Sequence, residues 1–119
     1  MHNIKFYKDK NGKEPVLEYL MELKRKRDKD SRVRVKKIND YIQVLAEYGT
    51  AVGEPYVKKI DNKSNIWELR PNNDRILFVA WVNDTFVLLH VFQKKTRKTP
   101  EREKEQARRE LKDIMKRGI

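Results

Sequence analysis

The sequence contains no cysteine and only two histidines, His2 and His90. Disulfide bonds and thiolate metal sites are therefore excluded, and two histidines alone cannot form a metal cage. No apolar run approaches the ~20 residues that a membrane-spanning helix needs, and the N-terminal residues carry no signal-peptide pattern. We expect a cytoplasmic protein that uses neither a metal nor another cofactor and has no membrane partner.

Acidic residues are scarce relative to basic ones. The 119 residues include 29 Lys and Arg against 18 Asp and Glu, which gives a formal net charge of +11. The length fits one domain over residues 1–119. The charge favours a polyanionic partner, nucleic acid ahead of an acidic protein or a membrane surface, and a solvated lysine-rich surface is the alternative.

The first half of the chain predicts a strand and two helices. Residues 2–8 alternate between polar and apolar side chains, as a half-buried strand does. Two helices with apolar stripes follow, the second capped by Asp30 or Ser31 and ended at Gly49. They predict a helical hairpin whose exposed tip is the basic run 24–37.

The second half changes to strand patterns and ends in a helix. Residues 66–70, 75–82 and 85–93 are rich in β-branched and aromatic side chains, and residues 56–60 are a weaker candidate. Thr99 is a suitable cap for the last helix. The chain therefore predicts an α+β fold: an N-terminal strand, a helical hairpin, an antiparallel sheet of three to four strands packed on the helices, and a C-terminal helix.

Loop lengths then fix which strand residues face each other. We take residues 83–84 as a two-residue turn and residues 71–74 as a four-residue loop. The resulting register places Phe78 opposite Leu89, Leu77 opposite His90, Arg75 opposite Phe92, Leu69 opposite Ile76 and Trp67 opposite Phe78.

Alternation along the strands separates the two faces of the sheet. The face expected to pack on the helical hairpin holds Trp67, Leu69, Ile76, Phe78, Ala80, Val87, Leu89 and Val91. The opposite face carries an apolar patch, too large to leave bare, that the last helix or a partner should cover: Leu77, Val79, Trp81, Phe86 and Leu88.

Ionisable side chains gather at the other end of that second face. They are Glu68, Arg70, Arg75, His90 and, just past the strand, Lys94. Arginines held on a rigid sheet make a preformed anion site, and the planar guanidinium suits phosphate because it binds two oxygens. The alternative is that Glu68 or Asp74 neutralises the arginines as ordinary ion pairs.

Such a site suits a metal-free ribonuclease, in which the substrate's own 2′-hydroxyl attacks the adjacent phosphate. His90 is a candidate for proton transfer, with a packed strand histidine as the alternative. Lys94 or Lys95 is a candidate base if neighbouring cations lower its pKa, and Phe92 could stack on a base. The candidate catalytic residues are Arg70, Arg75, Lys94 and His90. The candidate substrate-binding residues are Phe92, Lys95, Tyr7, Glu68, Gln93 and Arg97.

The chain resembles the RelE/ParE superfamily of toxins from bacterial toxin–antitoxin pairs. The stretches IWELRP, DRILFVAW and LLHVFQKKTRKTPEREKEQARREL look like its phage-derived Gp49-like branch, which includes HigB toxins. The resemblance implies a ribosome-dependent endoribonuclease that cuts mRNA at the decoding site without a metal. It also implies a HigA-like helix-turn-helix antitoxin that neutralises the toxin and binds operator DNA for the complex.

The resemblance also assigns roles to individual residues. Arg70 matches the strand arginine that contacts the scissile phosphate, and Arg75 matches a second phosphate-binding arginine. Lys94 and Lys95 stand where the family has late basic residues, and Phe92 stands where it has a contact to a base.

One departure from the family concerns proton transfer. Many RelE relatives carry a catalytic tyrosine near the C-terminus, but this chain has no tyrosine after Tyr56. Tyr7 could instead join the site from the N-terminal strand, and the identities of acid and base stay open. The basic segments 24–37 and 94–98 would be ribosomal RNA anchors.

Two other functions also remain open. A ParE-like inhibitor of DNA gyrase would need no nuclease chemistry, although the basic cluster argues against it. A noncatalytic RNA-binding module would use the same cations only to contact phosphates.

Overall fold

Five strands and three α-helices build the computed structural model, which describes residues 1–119. The elements confirm the α+β class and the predicted order. They are β1 (Asn3–Phe6), α1 (Pro15–Arg25), α2 (Lys29–Tyr48), β2 (Val57–Asp61), β3 (Ile66–Leu69), β4 (Asp74–Trp81), β5 (Thr85–Gln93) and α3 (Glu101–Arg117), with a 3₁₀ turn at Gly49–Val52.

The sheet is larger than expected and is mixed. Its strand order is β1-β5-β4-β3-β2, so the weak candidate strand forms one edge as β2. The N-terminal strand forms the other edge and runs parallel to β5. Parallel strands need a long crossover, and a sequence pattern does not show which distant strand the first one joins.

The helical hairpin packs on one face of the sheet, as predicted. Its buried side chains include Val16, Leu20 and Leu23 of α1 and Ile38 and Leu45 of α2. The second helix begins slightly earlier than predicted because Asp28 is its cap, accepting a 2.8 Å hydrogen bond from the Ser31 backbone N–H. Gly49 ends it with a φ of 66°, a conformation that glycine adopts without strain.

The C-terminal helix covers the opposite face. Ala107 and Ile114 of α3 are buried against Leu77, Val79 and Leu89 of the sheet. Of the two coverings expected for this apolar face, the helix is the one present. The predicted cap is different, since Pro100 takes the N-cap position and Thr99 donates its hydroxyl hydrogen to Glu68 instead.

A bulge in β5 makes part of the predicted register wrong. Phe78 pairs with Leu88 rather than Leu89, while Leu77 pairs with His90 as expected. The loop between β4 and β5 is one residue longer than assumed, and the extra residue Leu89 restores the register. Such a bulge places two consecutive side chains on one face.

The bulge exchanges residues between the two faces. Phe86 and Leu88 belong to the core under the helical hairpin, whereas Val87 and Leu89 belong to the core under α3. Both pairs were predicted on the opposite sides. Ala80, expected in the core, is exposed. The predicted faces are correct for β3, for most of β4 and for the end of β5.

Candidate nucleic-acid interface

Glu68, Arg70 and Arg75 meet where β3 ends and β4 begins. The Nε atoms of Arg70 and Arg75 lie 3.4 Å and 3.6 Å from the same oxygen, Glu68 Oε1. One carboxylate therefore lies between two guanidinium groups and offsets their repulsion. Glu54 also accepts from Arg70, so the two arginines face two carboxylates, and the excess positive charge at this end comes from the neighbouring lysines and Arg97.

The two arginines differ in how accessible they are. The Arg75 side chain is 8% exposed, and its Nη1 donates to the backbone carbonyls of Asn72 and Asp74. Burial lowers the pKa of Arg75, and the Glu68 carboxylate opposes that effect. Arg70 is 24% exposed and donates to Glu54 at 2.9 Å. Arg70 is thus the arginine that faces solvent, while Arg75 lies beneath the surface.

Glu68 is itself buried, at 3% exposure. Besides the two arginines it accepts a hydrogen bond from the Thr99 hydroxyl, which ties the segment before α3 to the sheet. Because it is buried, Glu68 presents almost no surface to a substrate. Glu68 is therefore placed to orient the guanidinium groups of Arg70 and Arg75.

The Asp74 carboxylate forms no ion pair with Arg75, although its charge opposes the lowering of the pKa of Arg75. Its carboxylate accepts from Tyr19 at 2.6 Å and from the Arg34 guanidinium at 2.9 Å and 3.0 Å. The alternative in which Asp74 cancels the charge of the strand arginines is therefore not what the structure adopts. Glu68 does contact both, and Glu54 adds a second carboxylate at Arg70, so the alternative of ion-paired arginines holds for these two residues.

A basic cleft of about 510 Å³ opens beside Arg70. Lys94 and Arg97, both predicted site residues, line it together with Arg70. Two carboxylates line it, and both are ion-paired: Glu68 with Arg70 and Arg75, and Glu101 with Arg108. The full lining is Lys58, Lys59, Ile60, Glu68, Arg70, Lys94, Arg97, Lys98, Thr99, Glu101 and Lys104.

Several of these cations were not identified from the sequence. Lys58 and Lys59 come from β2, and Lys58 pairs directly with Glu68 of β3. Lys98 and Lys104 come from the segment before α3 and from its second turn. The available signal was the density of lysines in the weak strand candidate, which becomes meaningful only once that strand is paired with β3.

A second cleft, of about 330 Å³, is lined by three more of the predicted site residues, two at the end of β5 and one just past it. Phe92, Gln93 and Lys95 line it, so consecutive lysines Lys94 and Lys95 serve different clefts. The other lining residues are Tyr19, Thr96, Pro100, Arg102 and Glu103. The segment between β5 and α3 contributes side chains to both clefts.

His90 lies under the start of α3. Its Nε2 donates to Glu103 Oε1 at 2.7 Å, and its ring stacks near Phe92 with centroids 5.9 Å apart. The pair is mostly buried, with side-chain exposures of 18% for His90 and 17% for Glu103. His90 therefore has a carboxylate partner that sequence reasoning did not identify.

Tyr7 is not brought to this end of the molecule. It is buried and donates to Asp113 at 2.5 Å, near the C-terminal end of α3. Burial, followed by the bond to Asp113, raises the pKa of Tyr7 to about 12. Asp113 is ten residues along the helix from Glu103, roughly 15 Å at the rise of an α-helix. Tyr7 thus fastens α3 to the sheet far from the two clefts.

The fold and the site together define a small, basic α+β protein with the RelE-like order of elements and a cationic cleft at one end of its sheet. None of its helices combines the length and apolar character needed to pass through a bilayer.

Residues 18–112 match the family model described as "Phage derived protein Gp49-like (DUF891)", and the chain belongs to that family. The family is part of the RelE/ParE-like toxin superfamily of toxin–antitoxin systems. No curated protein is significantly similar to this sequence.

Proposed function

We propose that this protein is the toxin of a type II toxin–antitoxin pair and stops translation by cutting mRNA on the ribosome. The observation that carries the proposal is the basic cleft, which is lined by seven Lys and Arg residues, of which only Arg70 is paired with a carboxylate. Uncompensated cations in a concave site attract the phosphates of a polynucleotide. Family membership supports the toxin role.

The chemistry we propose uses the substrate's own 2′-hydroxyl and no metal. That oxygen attacks the adjacent phosphorus while the bond from phosphorus to the 5′ oxygen breaks. Negative charge grows on the phosphate oxygens, and a guanidinium or ammonium placed there stabilises the transition state more than the ground state. Arg70 and Lys94, which reach the basic cleft, are the groups proposed for this role.

The remaining predicted residues take supporting roles in this proposal. Glu68 holds Arg70 in position from beneath the surface, Arg75 adds positive charge to the same end of the sheet, and Arg97 binds neighbouring phosphates. Phe92 stacks on a base in the second cleft, where Lys95 and Gln93 contact the same nucleotide. The proposed partners are mRNA, ribosomal RNA and a HigA-like antitoxin, through which the toxin reaches operator DNA.

Arg70→Ala tests the proposal. Translated mRNA is supplied in a purified translation system, and cut sites are mapped by the 5′ ends of the fragments. The wild type should cut, and the variant should cut about 10²–10³-fold more slowly, the range for removing one preorganised donor to a developing oxyanion. Arg109→Ala is the matched control, because Arg109 is exposed on α3, lines neither cleft and hydrogen-bonds through its side chain to Gln106.

The competing functions give different results in the same experiment. A folded Arg70→Ala protein that cuts at the wild-type rate would remove Arg70 from the site. Salt-dependent RNA binding without cleavage of any message would indicate the noncatalytic module. Inhibition of gyrase supercoiling with intact mRNA would indicate the ParE-like function.

A further inference from the structure

The two clefts differ in whether they offer a carboxylate to a ligand. In the basic cleft, Glu68 is buried between arginines, and Glu101 is paired with Arg108. The second cleft has Glu103 on its wall, and no other acidic residue lines it. A group that accepts a proton is therefore available in the second cleft and not in the first.

The contacts of Glu103 fix one oxygen and leave the other facing a cation. Glu103 Oε1 accepts from His90 Nε2 at 2.7 Å, and Oε2 lies 3.7 Å from Arg102 Nε. His90 does not line the second cleft, so the histidine stands behind the carboxylate. This arrangement presents Glu103 to the ligand and makes His90 the residue that orients it.

The other walls of the second cleft match the parts of a ribonucleotide. Phe92 provides an aromatic surface for a base, and Lys95 and Arg102 provide two cations for a phosphate. Its volume of about 330 Å³ lies at the lower end of the ~300–1,000 Å³ typical of small-ligand sites. The carboxylate, the cations and the aromatic ring come from β5, α3 and the segment between them.

We propose that Glu103 is the general base of RNA cleavage and that His90 is its positioning residue. This inference rests on the proposed function and adds the proton acceptor that the sequence left open. In it the cut nucleotide spans the two clefts, which share residues 99–104 as a wall. Its base stacks on Phe92, its ribose lies beside Glu103, and its 3′ phosphate, the one that is cut, contacts Arg70 and Lys94, while Lys95 and Arg102 contact the phosphate on its 5′ side. Glu103 Oε2 takes the proton of the 2′-hydroxyl as the bond from that oxygen to phosphorus forms. The bond from phosphorus to the 5′ oxygen breaks, and the departing oxygen takes a proton from water. The products are a 2′,3′-cyclic phosphate and a 5′-hydroxyl end.

Glu103→Gln tests the assignment because it keeps the size and the hydrogen bond to His90 but does not accept the proton. Single-turnover cleavage of a ribosome-bound message should fall about 10²–10⁴-fold, the usual contribution of a general base. Binding of a short RNA should change less than twofold. Glu105→Gln is the control, since Glu105 is exposed on the same helix, and it should behave as the wild type.

Two further variants separate chemistry from structure. Glu103→Asp keeps a carboxylate and should retain more activity than Glu103→Gln. His90→Gln should lower kcat at least tenfold with KM nearly unchanged, because it disturbs the orientation of the base rather than RNA binding. A folded His90→Gln protein with wild-type kcat would remove its positioning role.

A failure of the Glu103 assignment can be distinguished from a failure of the proposed ribonuclease function. A wild-type protein that cuts no translated message overturns both proposals. Wild-type cleavage accompanied by equal cleavage by Glu103→Gln overturns only the assignment of the base. Equal losses of RNA binding and cleavage in Glu103→Gln would also overturn it, because they would make Glu103 a binding residue.

Discussion

Asp74, at the start of β4, links the sheet to the helical hairpin by an ion pair and hydrogen bonds. Its side chain is 2% exposed and is held by Tyr19 of α1 and Arg34 of α2. Burial, followed by the bond to Asp74, raises the pKa of Tyr19 well above its usual range, so the hydroxyl stays protonated and keeps donating. The hydrogen bonds that Arg34 donates to the same carboxylate raise the pKa of Arg34.

Asp74→Ala should destabilise the protein by about 3–5 kcal/mol, because it leaves the Arg34 charge buried without its partner. Urea unfolding followed by circular dichroism measures the loss. Asp40→Ala is the control, since Asp40 forms an exposed pair with Lys36 and should cost less than about 1 kcal/mol. Similar losses in the two variants would contradict the buried-network interpretation.

Glu110 is a buried acid at a different point of the molecule. It is 5% exposed, its Oε1 has no hydrogen-bond partner, and burial raises its pKa to about 8. Gln106 and Arg109 favour its charged form, whereas Asp113 and Asp9 disfavour it. The folded protein therefore holds a proton on Glu110 that the unfolded chain releases near the ordinary pKa of a glutamate, 4.5.

This proton makes stability depend on pH. Between about pH 4.5 and pH 8 the folded state binds more protons than the unfolded state, so the free energy of unfolding falls as pH rises. Glu110→Gln should remove that slope and be more stable than the wild type at pH 8. Parallel stability curves for the two proteins over this range would show that Glu110 is not the group responsible.

At the scale of elements, α3 holds the candidate site in place through its apolar side. Ile114 is 1% exposed within the core under the helix, and the same helix begins with the residues that line both clefts. Docking of its last two turns therefore supports the position of its first turn.

Ile114→Ala should lower the free energy of unfolding by about 2–5 kcal/mol, the cost of removing a buried aliphatic side chain. The neighbouring Met115 is 68% exposed, so Met115→Ala should have almost no effect. Both are measured by chemical unfolding. Equal effects would mean that α3 does not pack as described.

The faces of β3 and β4 could be predicted because alternation and loop length together determine them. Both arginines were placed on one face in this way, and Leu77 opposite His90 was correct. The bulge at Leu89 could not be predicted, since any apolar residue can occupy it and the alternation on either side remains regular. The exchange of Phe86 and Val87 between faces follows from that single extra residue.

The candidate site was predicted as one cluster, and the structure divides it into two clefts. Strand alternation predicts Arg70, Lys94 and Phe92 at this end of the sheet, and they line the two clefts there. It missed Glu103, because the contact to His90 depends on how α3 crosses the sheet, which no local pattern specifies. For Tyr7 the predicted face was correct, but its position along the sheet was not. It lies near the C-terminal end of α3, away from both clefts.

At the scale of the whole molecule, the positive charge that gives the net +11 is unevenly distributed over the surface. One share lines the basic cleft, and another lies on the exposed tip at residues 24–30. We expect single-stranded RNA to bind mainly in the cleft, with an affinity that falls steeply as salt rises.

The double variant Lys98→Gln and Lys104→Gln should reduce the slope of log affinity against log salt by about 1.4, at ~0.7 per phosphate contact for single strands. Filter binding from low to physiological salt measures it. Lys112→Gln with Lys116→Gln removes the same charge from exposed positions of α3 and should leave the slope nearly unchanged. Equal slopes in both double variants would place the RNA elsewhere.

Because Thr99 to Lys104 contribute walls to both clefts, the site depends on a segment that is synthesised after all five strands. A growing polypeptide that has emerged only as far as β5 lacks these walls, and its second apolar face is still bare. Both clefts, and the activity proposed for them, can therefore form only once residues 99–104 have been synthesised and α3 has covered that face.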